Sequence, residues 1–186
     1  MKASRLKTHT TIFFLGALIG ISSCHNAEKQ SVPDTALHPD SLKYQLEEAH
    51  RELSKHEEKI IDQYVKRHEL NLKRTASGLM YTVYRTGEGT NARKGDIVRI
   101  HYSIGLINGI EAYSTLNGDP EEIMIEKSEA VSGMHELLQY MNQGAKARAI
   151  IPSYLAYGLT GDQERIPKGA TLIIDIELLQ VISTNQ

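Results

Sequence analysis

The sequence predicts an α+β protein, with an antiparallel sheet of about five strands covering one short helix and a longer helix ahead of both. Three observations lead there. Several segments alternate apolar and polar residues with the period of a half-buried strand. Met134, Leu137, Leu138 and Met141 recur at i, i+3, i+4 and i+7, the spacing of one helix face. Upstream, Leu42, Leu46, Ala49, Leu53, Ile60 and Tyr64 form a longer helical stripe.

Taken in order, the chain opens like an export signal. Lys2, Arg5 and Lys7 make a positive start, and Thr11 to Ile21 is an apolar run shorter than the ~20 residues a membrane-spanning helix needs. Ile21-Ser22-Ser23-Cys24 follows, which resembles a bacterial lipobox, so residues 1–23 are expected to be a lipoprotein signal peptide and Cys24 the lipidated mature N-terminus. Cys24 is the only cysteine, which leaves no internal disulfide and gives the thiol no other evident use. His25 rather than Asp follows it, which points to the outer membrane of the cell envelope, facing the periplasm. Residues 24–39 are polar, carry Pro33 and Pro39, lack periodicity, and read as a flexible tether.

A helical arm is expected over 40–70, with Asp40 as its N-cap after Pro39. Its stripe suits either a dimerising coiled coil, with the arm as an envelope-assembly contact, or an arm packed on the following domain. His56 and Gln63 interrupt the heptad seam and favour packing. Residues 71–186 make the main domain. Val98 to Leu106, Ala145 to Ile151 and Leu172 to Leu178 are the alternating strands, Met80–Tyr84 and Ile123–Ile125 two shorter ones, and Met134–Met141 the single helix between them.

Composition narrows the function. The chain has 21 basic and 23 acidic residues; without its first 23 residues it has 18 against 23, a net charge of −5. That balance argues against nucleic acid as a partner. There is no Gly-rich phosphate loop, no HExxH, no GxSxG and no cysteine beyond Cys24, so neither a metal nor another cofactor is expected. His101 reads as structural and Glu121 with Glu122 as solvated acids at a loop edge. What remains is a domain able to take an apolar ligand between sheet and helix.

Several motifs then fall in one order. Ser77-Gly78-Leu79-Met80-Tyr81 and Gly87-Glu88-Gly89 lead into Gly95-Asp96-Ile97-Val98-Arg99-Ile100-His101-Tyr102 and Asn108-Gly109. Val131-Ser132-Gly133 opens the helix. Ile151-Pro152-Ser153-Tyr154-Leu155-Ala156-Tyr157-Gly158 is followed by Ile166-Pro167-Lys168-Gly169-Ala170-Thr171-Leu172 and Asp175-Ile176-Glu177-Leu178-Leu179. Across residues 73–181 this resembles the FKBP-type peptidyl-prolyl cis-trans isomerases. With Cys24, the arm and Ala112-Tyr113-Ser114-Thr115, it is similar to the gliding-motility-associated FKBP lipoproteins of Bacteroidetes.

The resemblance implies a curved antiparallel sheet of five to six strands wrapping one short helix. It also implies isomerisation of Xaa-Pro bonds in segments of exported proteins. Tyr157 is then the hydroxyl donor, Val131 a backbone N–H donor and Tyr102 a pocket tyrosine, all three carried over as catalytic. Tyr113, Met134, Ile166, Ile174 and Ala112 are carried over as substrate-binding, although for the apolar ones plain core packing is the alternative. The chain departs from the family at several of these positions. Ala112 and Glu121 stand where the family has Phe, Tyr113 where it has Asp, Met134 where it has Trp and Ile174 where it has Phe. Asp162 and Arg165 replace the usual His and Ile. Aromatic rings carry much apolar contact area, so these exchanges leave a second reading open: a catalytically weak FKBP-like chaperone or binding module.

Overall fold

The structure, a computed structural model, describes residues 39–183. The expected signal peptide, Cys24 and the expected tether up to residue 38 lie outside the described residues.

Helix α1 spans Pro39–Arg67. It starts one residue earlier than expected, so Asp40 belongs to the first turn and is not the cap; proline, with its fixed φ and no N–H to leave unpaired, suits that first position. The chain then runs through β1 (Lys73–Arg74), β2 (Met80–Arg85), β3 (Ile97–Leu106), β4 (Glu111–Ser114) and β5 (Glu121–Met124). Helix α2 (Ser132–Gln139), β6 (Lys146–Ile151), a 3₁₀ turn (Ser153–Leu155) and β7 (Leu172–Ile182) complete it. No helix among the described residues is long and apolar enough to cross a membrane.

The sheet has seven strands, ordered β1-β2-β6-β7-β3-β4 with β5 also on β3, and the pairings are antiparallel. Two exceed the expected five. β1 is only two exposed residues long, and β4 reads Glu-Ala-Tyr-Ser, too short to declare an alternation.

Alternation along the strands assigns each residue to a face. On one face Val98, Ile100 and Ile104 of β3, Ala147 and Ala149 of β6 and Leu172, Ile174 and Ile176 of β7 meet Met134, Leu137, Leu138 and Met141. Gly133 lets α2 approach β6 closely: a Cβ there would lie 2.4 Å from Ile151 Cγ2. On the opposite face Met80 of β2 and Ile150 of β6 pack with Ile61 of α1, flanked by Tyr64, Val65, Ile107 and Ile173. The two helices therefore cover opposite faces of one sheet.

Only the C-terminal half of α1 is docked in this way. Arg74 donates to Glu58 at 2.9 Å and to Asp62 at 3.0 Å. The Glu57 carboxylate accepts three hydrogen bonds, from Ser153 N–H (2.7 Å), Ser153 Oγ (2.9 Å) and Thr171 Oγ1 (2.6 Å). The N-terminal half of the stripe, Leu42, Leu46 and Leu53, stays exposed.

Candidate functional site

Strand β3 supplies the first site residue through an irregularity at its edge. β5 pairs with Ile97–Ile100 and β4 with Ser103–Gly105, so neither pairs with His101 and Tyr102. Thr115 fills the gap: its N–H donates to Tyr102 O at 2.9 Å, and Tyr102 N–H donates to Thr115 Oγ1 at 2.9 Å. His101 Nδ1 lies 3.3 Å from the same hydroxyl, which fits its structural reading. Tyr102 is thereby fixed at the edge of the core, half-buried, with its hydroxyl donating to Glu121 Oε2 at 2.6 Å. Burial first, then this hydrogen bond and the Glu121 charge, push the Tyr102 phenol well above its ordinary range. Glu121 is thus not merely a solvated acid at a loop edge, as expected; it is the acceptor for a pocket tyrosine.

Tyr113 comes from β4. Its hydroxyl donates to Asp162 Oδ2 at 2.5 Å, and chiefly for that reason its pKa is pushed up to about 12. Asp162 organises the loop that follows Tyr157. Its Oδ1 accepts the N–H groups of Glu164 (2.9 Å), Arg165 (3.0 Å) and Ile166 (2.8 Å). Burial alone would raise the Asp162 carboxyl, but the Tyr113 hydroxyl and these backbone donors outweigh it and hold it at about 2. Arg165 closes the same junction: it donates to Ala112 O at 2.9 Å, and its guanidinium lies over the Tyr113 ring, 5.2 Å from the centroid. The exchanged residues Tyr113, Asp162 and Arg165 therefore act as one latch between β4 and the late loop.

Two donors remain. Tyr157 follows the 3₁₀ turn and is half-buried against the core. Its hydroxyl has no hydrogen-bond partner among the described residues. Burial first, then the charges of Asp162 and Glu121, raise its pKa, so it stays a protonated donor at neutral pH. Val131 is the N-cap of α2; its carbonyl accepts from Met134 and His135, while its own N–H finds no acceptor among the described residues.

The apolar candidates sit deeper. Met134, Ile166 and Ala112 are 4%, 2% and 3% exposed, and Ile174 is at 0%. Ile174 therefore presents no surface of its own, as plain core packing would have it, and the other three present almost none. Tyr102, Tyr113, Val131 and Tyr157 pack around the edge of the cluster holding these four. The assembly places hydrogen-bond donors at the edge of a buried apolar cluster. Among the described residues no group of three or more His, Cys, Asp or Glu side chains could hold a metal ion.

Residues 88–179 match the family described as FKBP-type peptidyl-prolyl cis-trans isomerase. The domain belongs to that family. The FKBP-type peptidyl-prolyl isomerase FkpA of Buchnera aphidicola (Acyrthosiphon pisum strain) is 38% identical over 113 residues, 60% of this chain and 46% of that protein. The 22 kDa FKBP-type isomerase of Escherichia coli K12 is 37% identical over 109 residues, 58% and 52% respectively. The chain thus spans about half the length of the curated relatives it matches. Among solved structures, FkpA from Escherichia coli superimposes with a TM-score of 0.61 at 27% identity, covering 79% of this chain and 74% of that one. A peptidyl-prolyl isomerase from Pseudomonas syringae pv. tomato gives 0.62 at 26%, covering 72% and 96%.

In this FKBP-type domain sequence reasoning had missed three contacts: Tyr102 with Glu121, the Asp162 hub, and the Glu57 clamp. An Asp just after Gly161 in a loop was a legible signal for the second, since Asp caps its own turn through downstream N–H groups. The first and third join residues 19 and 96 or more positions apart and left no local trace.

Proposed function

We propose that this chain is a peptidyl-prolyl cis-trans isomerase that acts on proline-containing segments of exported proteins while lipid-anchored in the bacterial envelope. The observation that carries the isomerase reading is the pair of unpartnered donors, Tyr157 hydroxyl and Val131 N–H, beside the apolar Met134 and Ile166 in an FKBP-type domain. The Xaa-Pro amide is planar because resonance separates charge along it, and its rotation barrier is ~18–20 kcal/mol. An apolar floor disfavours that charge separation, and the twisted amide, which has less of it, is held better than the planar one. The two donors fix substrate carbonyls on either side of the rotating bond. Tyr102 keeps its hydroxyl on Glu121 and serves as an apolar wall.

Cys24 as the lipidation site, a membrane-anchored place on the periplasmic side of the outer membrane, and the gliding-motility-associated subtype rest on the sequence. They are supported by the basic start, the apolar run, Ile21-Ser22-Ser23-Cys24 and the Ala112-Tyr113-Ser114-Thr115 pattern. The exposed Leu42, Leu46 and Leu53 support a dimer or an envelope complex through α1.

The test is cis/trans exchange in an Xaa-Pro tetrapeptide, followed by a protease-coupled assay. The protein accelerates it, and Tyr157→Phe lowers kcat/KM about 2- to 13-fold, the loss of one hydrogen bond of ~0.5–1.5 kcal/mol. No acceleration above the solvent rate refutes the reading.

A further inference from the structure

We infer that Glu121 selects among the substrates of the isomerase site, favouring segments in which a Lys or Arg precedes the proline; this rests on the isomerase reading above and names its substrate class. Strand pairing puts the carboxylate on the site's side of the sheet. Glu121 pairs with Ile100 across β5 and β3, and Glu122 pairs with Arg99. Cross-strand partners share a face and successive residues alternate, so the two adjacent acids face opposite ways. Glu122 meets a cation on its own side, with Arg99 Nε at 3.6 Å. Glu121 shares the side of Ile100, where the apolar cluster and the site tyrosines lie, and its Oε2 accepts the Tyr102 hydroxyl at 2.6 Å.

The Glu121 charge is not answered within the protein. Among the described residues it has no ion-pair partner, and its Oε1 accepts no hydrogen bond, although a carboxylate oxygen has room for two. Asp162, the other acid at this edge, is spent differently: it already accepts from the Tyr113 hydroxyl and from three backbone N–H groups. Arg165, the cation of the latch, bonds to Ala112 O and lies over the Tyr113 ring, and no ion pair among the described residues joins it to an acid. Both carboxylates lie within electrostatic reach of the Tyr157 hydroxyl, whose pKa they help to raise. A substrate carbonyl held by Tyr157 is therefore held in the field of Glu121. A Lys or Arg before the proline brings its charge to the open Oε1, and a Glu there is repelled. Glu121 is exposed, so the effect is a few-fold and is screened by salt.

The experiment uses the full chain and three tetrapeptides, Ala-Xaa-Pro-Phe with Lys, norleucine or Glu before the proline; norleucine keeps the length of Lys without its charge. One readout is kcat/KM on each peptide, relative to its own uncatalysed rate. The other is Kd from chemical-shift titration, which needs no turnover. At low salt the Lys peptide is expected to exceed norleucine by about 3-fold, and norleucine to exceed Glu by a similar factor, with Kd in the same order. Sodium chloride at about 0.5 M compresses these ratios. Glu121→Gln, which keeps an acceptor for Tyr102, brings the Lys-to-norleucine ratio to unity, and Glu121→Lys puts the Glu peptide ahead. If Glu121 only held Tyr102, its variants would slow all three peptides by one factor and leave the ratios unmoved. Selection is overturned by equal rates and affinities in the wild type at low salt, or by a Lys preference that survives Glu121→Gln; turnover of all three at equal rates leaves the isomerase reading standing. No turnover of any peptide, with Kd in the stated order, refutes the isomerase reading and leaves selection standing. Neither turnover nor binding refutes both.

Discussion

Removing the Glu57 carboxylate tests whether α1 is part of the folded domain or an appendage to it. Glu57→Ala deletes three hydrogen bonds at 2.6–2.9 Å. A hydrogen bond contributes a net ~1 kcal/mol, more when one partner is charged, and solvent reaching the half-buried Glu57 offsets that excess. Thr171 is 4% exposed, so its hydroxyl is left without water to replace the lost partner. The expected cost is about 3 kcal/mol in total. For a domain of this size each kcal/mol moves the melting midpoint by ~2–4 °C, which gives a drop of about 6–12 °C. Glu57→Gln retains one acceptor oxygen and loses about half as much. Thermal unfolding followed by far-UV circular dichroism, with urea titration for the free energy, measures both. A Glu57→Ala midpoint within 1 °C of the wild type would mean the clamp contributes nothing and that α1 is held by its apolar contacts around Ile61 and by the Arg74 bonds to Glu58 and Asp62.

Other outcomes follow from the latch, the helix contact and the N-terminus. The Asp162 carboxyl is depressed to about 2, so its contribution to stability is present above the ordinary aspartate pKa and is lost only as pH falls through about 2; Tyr113→Phe removes a donor, raises that pKa and moves the acid transition of the tyrosine near-UV signal to higher pH. Tyr113, raised to about 12, contributes in the opposite sense: its share is complete below the ordinary phenol pKa near 10 and is lost as pH rises through about 12, a limb that Tyr113→Phe abolishes in alkaline titration. Gly133→Ala drives a methyl to 2.4 Å from Ile151 Cγ2 and lowers stability by about 1–3 kcal/mol in urea titration, despite the better helix propensity of Ala. Cys24→Ser abolishes incorporation of radiolabelled palmitate in cells; retained label would remove the anchor from the proposal.

The fold was legible where burial is one-sided. β3 and β7 alternate because one face meets α2 while the other is polar or covered by α1, and Met134 to Met141 declared α2 by its spacing. β1 and β4 were not legible, since two to four residues pairing at an edge carry no period. The stripe of the arm could not show where packing stops: Ile61 and Tyr64 dock, while Leu42, Leu46 and Leu53, with the same spacing, do not. At the site, motif order singled out Tyr102, Tyr113, Val131 and Tyr157, which the fold brings to the edge of one cluster. It could not show that two of those hydroxyls are tied to carboxylates, because Glu121 and Asp162 acquire their meaning only through the loops that carry them there.

The margins of the sheet bear on whether other strands can add to it. An open strand edge is a template on which foreign strands can add. Here one margin is the two-residue Lys73–Arg74, too short to template much, with Arg74 already engaged by Glu58 and Asp62 of α1. Along the other side of β3, Glu121 and Glu122 place adjacent carboxylates on β5, and Glu111 begins β4. Both borders are thus short and charged, which disfavours the addition of a stray strand.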